Sequence, residues 1–171
     1  MDFITLAKNR YSVRSYSEKQ IERDKINKIL EAAYIAPSAK NKQSARVYVV
    51  QSEEGIEKLR ALTRCVYNAP TVMMIGYEES EQYVNEMEEG IVSGQQDASI
   101  VATHMMLEIT ELGLGTTWVG HFDAPLLKEE FPEMKGYELI AIFPVGYPAT
   151  EAKPSERHTV RKTVEEAVSV L

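Results

Sequence analysis

The chain has one cysteine, Cys65, in 171 residues. A single thiol forms no internal disulfide and cannot build a four-cysteine zinc site. The three histidines, His104, His121 and His158, are scattered without metal-ligand spacing, so no metal is expected. Basic side chains are in deficit: 19 Lys and Arg stand against 26 Asp and Glu, for a net charge of −7. That balance suits neither a phosphate backbone nor an anionic membrane surface, so neither nucleic acid nor membrane is an expected partner. No apolar run reaches the length needed to span a bilayer, and residues 3–7 are too short for the apolar core of a secretory signal. The cytoplasm is the expected location. No G-x-G-x-x-G follows the first predicted strand, and no G-x-x-x-x-G-K-[ST] occurs anywhere, which removes the main support for a dinucleotide fold or a P-loop enzyme.

What is present is ordinary globular material, 44% apolar and 26% charged, enough for one folded domain over residues 1–171. Ile26, Ile29, Leu30 and Ala33 fall at helical spacing, so 22–36 reads as a helix ended by Pro37. Residues 47–50 and 71–76 read as strands, with a short helix at 53–62 between them. Segment 78–90 carries six glutamates and only Tyr83, Val84 and Met87 as apolar anchors, which predicts a solvated helix or an excursion from the core. Segment 95–112 is apolar nearly all round, the pattern of a central or interfacial helix, and Gly113 suits its C-terminal cap. Strands are expected at 116–119 and 139–145. Helices alternating with strands place the chain in the α/β or α+β class.

The charge is unevenly spread. Residues 1–16 carry +2 and residues 153–162 carry +3, leaving −12 for the rest. If the fold joins the two ends they form an anion site; if not, they are solvated tails. Near the start, Arg10, Ser12 and Arg14 alternate along an extended segment and share a face, two guanidinium forks flanking a hydroxyl. A surface turn paired with glutamates accounts for them equally well. Pro37, Ser38, Asn41 and Gln43 lie in a turn-rich stretch whose amides offer donors and acceptors together, suited to a heterocycle edge or simply to capping a helix end. Glycines around Thr117, Trp118, Val119 and Gly120 allow close backbone approach to a flat ligand, though Trp118 alone reads as core filler. The Arg161-Lys162 pair near the end, alone, is a tail.

Taken together and in this order, these segments resemble the nitroreductase family of flavin enzymes. The carrying residues are Arg10-x-Ser12-x-Arg14, Ala36-Pro37-Ser38-x-x-Asn41-x-Gln43, the run from Gly113 to Gly120, Pro144-Val145-Gly146-Tyr147-Pro148, and Arg161-Lys162-x-Val164-Glu165-Glu166. The resemblance implies an α+β fold with a mostly antiparallel sheet flanked by helices, and an intertwined homodimer with FMN at its interface. It implies that Arg10 and Arg161 hold the FMN phosphate with Ser12 nearby, and that Arg14 reaches the phosphate or the pyrimidine edge. Pro37, Ser38, Asn41 and Gln43 would come from the second subunit, while Thr117, Trp118, Val119 and Gly120 would lie along the ring. Tyr83 and Met87 are the candidate substrate-pocket residues. The implied activity moves two electrons from NADH or NADPH through FMN to a small organic acceptor such as a nitroaromatic or quinone; the alternative is an FMN-binding sensor or carrier with little turnover. No catalytic side chain is required, because the chemistry sits on the cofactor. Two departures stand out: Ser44 and Ala45 replace the proline and tryptophan that usually follow, and the chain is short for the family.

Overall fold

The computed structural model describes residues 2–171. Four strands, β1 (Ala45–Val50), β2 (Thr71–Tyr77), β3 (Gly115–Thr116) and β4 (Glu138–Gly146), form one antiparallel sheet in the order β1-β2-β4-β3. Successive side chains of a strand face opposite sides, and the two middle strands use both. On one side Met73, Ile75, Phe143 and Val145 pack with Ile26 and Ile29 of α2 (Arg23–Tyr34) and with Ala98, Val101 and Met105 of α4 (Gly94–Glu111). On the other, Val72, Met74 and Ile142 meet Ile56 and Leu59 of α3 (Glu53–Leu62) and Leu127 of α5 (Ala124–Glu130). Burial on two faces is why β2 reads as an unbroken apolar run rather than an alternating one.

Local signals set the helix ends. The Ser52 hydroxyl accepts the Gly55 N–H at 3.2 Å, and Glu53 and Glu54 sit in the first turn of α3, where the helix dipole favours them. At the end of α4, Gly113 takes φ +72°. The Leu114 N–H reaches the Ile109 carbonyl and the Gly113 N–H reaches that of Thr110, both at 3.0 Å, closing the helix as a Schellman motif. Before α2 comes α1 (Phe3–Asn9), which has no buried residue. The chain finishes in α6 (Val164–Ala167), opened by a reciprocal Thr163–Glu166 capping box. Among the described residues no helix is long and apolar enough to cross a membrane.

One segment differs from expectation, and a second takes one of its two expected forms, the excursion. Of the expected strand 116–119 only Thr116 pairs in a ladder, with Gly115 before it; Val119 rejoins β4 through an isolated bridge to Ile142. The gap lies opposite Phe143 and Pro144, and proline has no N–H to donate to a ladder. Segment 78–90 forms no α-helix: a 3₁₀ turn at Glu79–Glu81 leads into an excursion pinched shut by a Val84–Val92 bridge. Tyr83, Val84 and Met87 fall at helical spacing, but the like-charged pairs Glu78/Glu81 and Glu86/Glu89, three residues apart, weigh against a helix.

Candidate functional site

The two ends of the chain meet. Past α1, residues 11–17 run extended along β3: the Val13 N–H donates to the Thr116 carbonyl at 3.0 Å and the Ser17 N–H to that of Tyr147 at 2.9 Å. Val13 points into the core, so its neighbours Ser12 and Arg14 turn the other way, half-buried and exposed; past Arg14 the alternation breaks, and Tyr16 is buried as well. Burial pushes the Tyr16 hydroxyl's pKa far up, and the neutral group lies 2.7 and 3.0 Å from the Val13 and Pro144 carbonyls. The C-terminal stretch is drawn over this segment. The Ala149 N–H donates to the Ser15 carbonyl at 3.0 Å, the Ser15 hydroxyl to Glu151 at 2.9 Å, and His158 Nε2 to the Lys8 carbonyl at 3.1 Å.

This folding-back gathers Arg10, Arg14, Arg157 and Arg161, with Ser12 and Ser155, around a groove of about 260 Å³. No carboxylate lines it, and none of the ion pairs among the described residues engages these four arginines. Four like charges in so small a volume repel one another, and a multivalent anion relieves that repulsion. The donor set fits a phosphate monoester: guanidinium forks for paired charge-assisted bonds and hydroxyls for the remaining oxygens.

A second locus is the loop after α2. Lys40, Asn41 and Gln43 adopt φ of 47°, 55° and 54°, the left-handed region that non-glycine residues enter at roughly 1–2 kcal/mol each. The loop is held by its own polar groups: the Gln43 N–H donates to the Ser38 hydroxyl at 2.9 Å and Gln43 Nε2 to the Asn41 carbonyl at 3.2 Å. It is tied to α4 by Asp97, whose carboxylate accepts the Ala39 N–H at 3.0 Å and the Ser93 hydroxyl at 2.7 Å, and which is only 3% exposed. Ser38, Gln43 and Asp97 border a cavity of about 310 Å³ walled by Ala45, Val47 and Val101. This cavity and the arginine groove share no residue. One chain therefore does not bring Arg10 and Arg161 into one pocket with Ser38 and Gln43; Pro37 and Asn41 are exposed beside the cavity-side loop.

The remaining candidates are dispersed. Thr117 and Val119 are buried, Gly120 is open to approach on its Cβ side, and Trp118 is 38% exposed with its ring edge-on to Phe143 at 5.4 Å. Tyr83 is half-buried and lies under Lys40, whose Nζ is 4.9 Å from the ring centre. Met87 is 96% exposed at the tip of the 78–90 excursion and lines none of the cavities described above. Ser44 is fully buried, its hydroxyl without a hydrogen-bond partner among the described residues. Arg157 and Ser155 join the groove without having been singled out as site residues, although Arg157 belongs to the basic end cluster. Asp97 is a further residue that the motifs do not mark; its signal in the sequence is a lone carboxylate on the core-facing stripe of α4.

The sequence model of the nitroreductase family matches residues 7–66 and 63–147, most of the chain. This chain belongs to the nitroreductase family. A nitroreductase family protein from Clostridium difficile 630, solved by crystallography, is 37% identical with a TM-score of 0.90, covering 99% of this chain and 98% of that one. An Archaeoglobus fulgidus protein provisionally named NADH dehydrogenase/NAD(P)H nitroreductase is 32% identical over 150 residues, 83% of each chain. A structure from Desulfovibrio desulfuricans in complex with FMN is 25% identical with a TM-score of 0.80, covering 96% of this chain and 94% of that one. The α+β arrangement of an antiparallel sheet between helical layers is thus the nitroreductase fold, as the sequence resemblance implied.

Proposed function

We propose that this nitroreductase-family chain binds FMN between two copies of itself and serves as an NAD(P)H oxidoreductase for a small organic acceptor. The observation that carries the reading is the carboxylate-free groove where Arg10, Arg14, Arg157 and Arg161 converge. Arg10 and Arg161 hold the phosphate, Ser12 adds a neutral hydrogen bond, and Arg14 supplies positive charge toward the pyrimidine edge, where the reduced ring is anionic. Pro37, Ser38, Asn41 and Gln43 of the second copy border the ring, and Thr117, Trp118, Val119 and Gly120 of the first lie along it.

Three features support the pairing. The cavity beside Ser38 and the arginine groove are separate in one chain. The outer face of α4 leaves Ile100 exposed and Leu107 half-buried, whereas its sequence is apolar nearly all round. Apolar side chains of α1 and of the end of the chain, Phe3, Ile4, Val164 and Val168 among them, have no cover. Residues 1–171 then act as one FMN-binding domain per copy, with the redox chemistry carried by the cofactor.

When bound, FMN supplies the two-electron chemistry, taking a hydride from NADH or NADPH and returning electrons to the acceptor. The deciding experiment is an anaerobic absorption spectrum of the purified protein supplied with FMN. The expected outcome is a bound yellow flavin bleached within seconds by NADH or NADPH and recoloured by a quinone. A protein that takes up no FMN overturns the reading; one that binds FMN without bleaching fits a carrier instead.

A further inference from the structure

The carboxylate of Asp97 sits at the centre of a short hydrogen-bond chain that spans two segments of different purpose. One oxygen accepts the Ala39 N–H at 3.0 Å, anchoring the loop of left-handed residues at Lys40, Asn41 and Gln43. The other accepts the Ser93 hydroxyl at 2.7 Å, and the Ser93 oxygen in turn accepts the Tyr83 N–H at 3.1 Å. The Ser93 N–H returns to the Tyr83 carbonyl at 3.0 Å. Asp97 and Ser93 are buried, at 3% each, and stand at the start of α4, the longest helix. Space there is tight: a Cβ on Gly94 would meet the Tyr77 ring and Gln82, and the Gly94 N–H already donates to Gln82 at 3.1 Å. Lys40 Nζ over the Tyr83 ring at 4.9 Å adds a second link between the same two segments.

From this geometry we infer that Asp97 is a positioning residue that couples the 38–43 loop to the Tyr83 segment, setting flavin affinity through Ala39 and acceptor binding through Ser93. The inference rests on the proposed reading that the loop borders the flavin ring, and on Tyr83 as the substrate-pocket candidate of the sequence. The physical basis is pre-organisation. A loop with three left-handed non-glycine residues relaxes if its tether to the helix is cut, and a ligand that needs the unrelaxed form binds more weakly by the fraction lost. A buried carboxylate accepting two donors is a strong tether, since hydrogen bonds to a charged group in low dielectric outweigh neutral ones. Asparagine, similar in shape, makes both hydrogen bonds neutral and presents an NH₂ on one side, so that either the Ala39 N–H loses its acceptor or the Ser93 hydroxyl must turn to accept.

The test compares Asp97→Asn and Ser93→Ala in the full chain, first without flavin. Amide hydrogen exchange should quicken at Ala39 and Tyr83 in Asp97→Asn, and at Tyr83 alone in Ser93→Ala. In FMN titrations Asp97→Asn should weaken binding about tenfold, the size expected for losing one charge-assisted bond, with Ser93→Ala within about twofold of the parent. In steady-state kinetics with NADH and a neutral quinone, Ser93→Ala should raise the quinone KM about threefold with little change in kcat, as for lost uniform binding. Unchanged exchange at Ala39 in Asp97→Asn, or equal effects of the two variants at both segments, overturns the coupling. Should Asp97→Asn not fold, Ser93→Ala decides alone: unaltered Tyr83 exchange and quinone KM overturn it. Failure of the parent to bind FMN overturns the functional reading separately, since the exchange measurements need no flavin.

Discussion

The middle of the sheet and the two ends of the chain are opposites. In β2 and β4, Met73, Met74, Ile75, Ile142 and Phe143 are fully buried, each enclosed by its own chain. In α1 and beyond residue 159 there is no buried residue, although Phe3, Ile4, Val160, Val164, Val168 and Val170 are apolar. Arg161 lies in the second of these ends, and Arg10, Arg14 and Arg157 adjoin them. The centre is complete within one chain. The periphery leaves apolar side chains uncovered, the surface that the proposed pairing would bury. The contrast separates what holds the chain together from what the proposed assembly needs.

The sharpest break of that contrast is at the centre. Phe143→Ala removes a fully buried ring and should cost about 3–5 kcal/mol of unfolding free energy, read in urea denaturation. Flavin affinity, measured below the unfolding transition, should change far less. At the groove, Arg10→Ala or Arg161→Ala should each weaken FMN binding about ten- to a hundredfold, the range of about 1.5–3 kcal/mol for a hydrogen bond to a charged group. Riboflavin, which lacks the phosphate, should bind parent and variants alike in the same fluorescence titration. Loss of both ligands together would mean that the arginines organise the fold rather than grip the phosphate.

A third change addresses the ends. Val164→Lys with Val168→Lys places charge on the exposed apolar stretch. It should move the sedimentation mass toward the 19.3 kDa of one chain, while unfolding of the separated chain remains cooperative. The smallest effect is at Glu22. The Tyr147 hydroxyl at 2.6 Å and Lys19 at 2.9 Å hold its carboxyl at about 2, below the usual 4.5. A depressed folded pKa gives stability that is present above the unfolded value and lost as pH falls from about 4.5 through about 2. The group is exposed and screened, so the contribution is small. The stability gap between parent and Glu22→Gln, measured by denaturation, should shrink between pH 6 and pH 2.

Much of this is legible in the sequence. The 53–62 helix emerges with the same limits, because a serine cap, two first-turn acids and a clear apolar stripe agree with one another. The 95–112 helix ends where Gly113 permits a left-handed cap. Less legible were the 116–119 strand, interrupted opposite Pro144, and the 78–90 excursion, whose shape depends on Ser93 and Asp97 farther along the chain. Asp97 illustrates the difficulty. On a helix stripe a carboxylate reads as an interruption; only the approach of the Ala39 N–H gives it a partner.

What the sequence determined alone was local or cumulative: the helix ends, the two-sided burial of β2, the excess of positive charge at both extremities, and the co-linear motifs that mark the family. These depend on near neighbours or on counts, and both can be read along a line. What the tertiary structure decided was convergence. Whether residues 10–14 and 155–161 share a groove depends on β3, β4 and the strand-like 11–17 segment pairing across more than a hundred positions of chain. Such pairing comes from long-range hydrogen bonds and core packing, which no local pattern encodes.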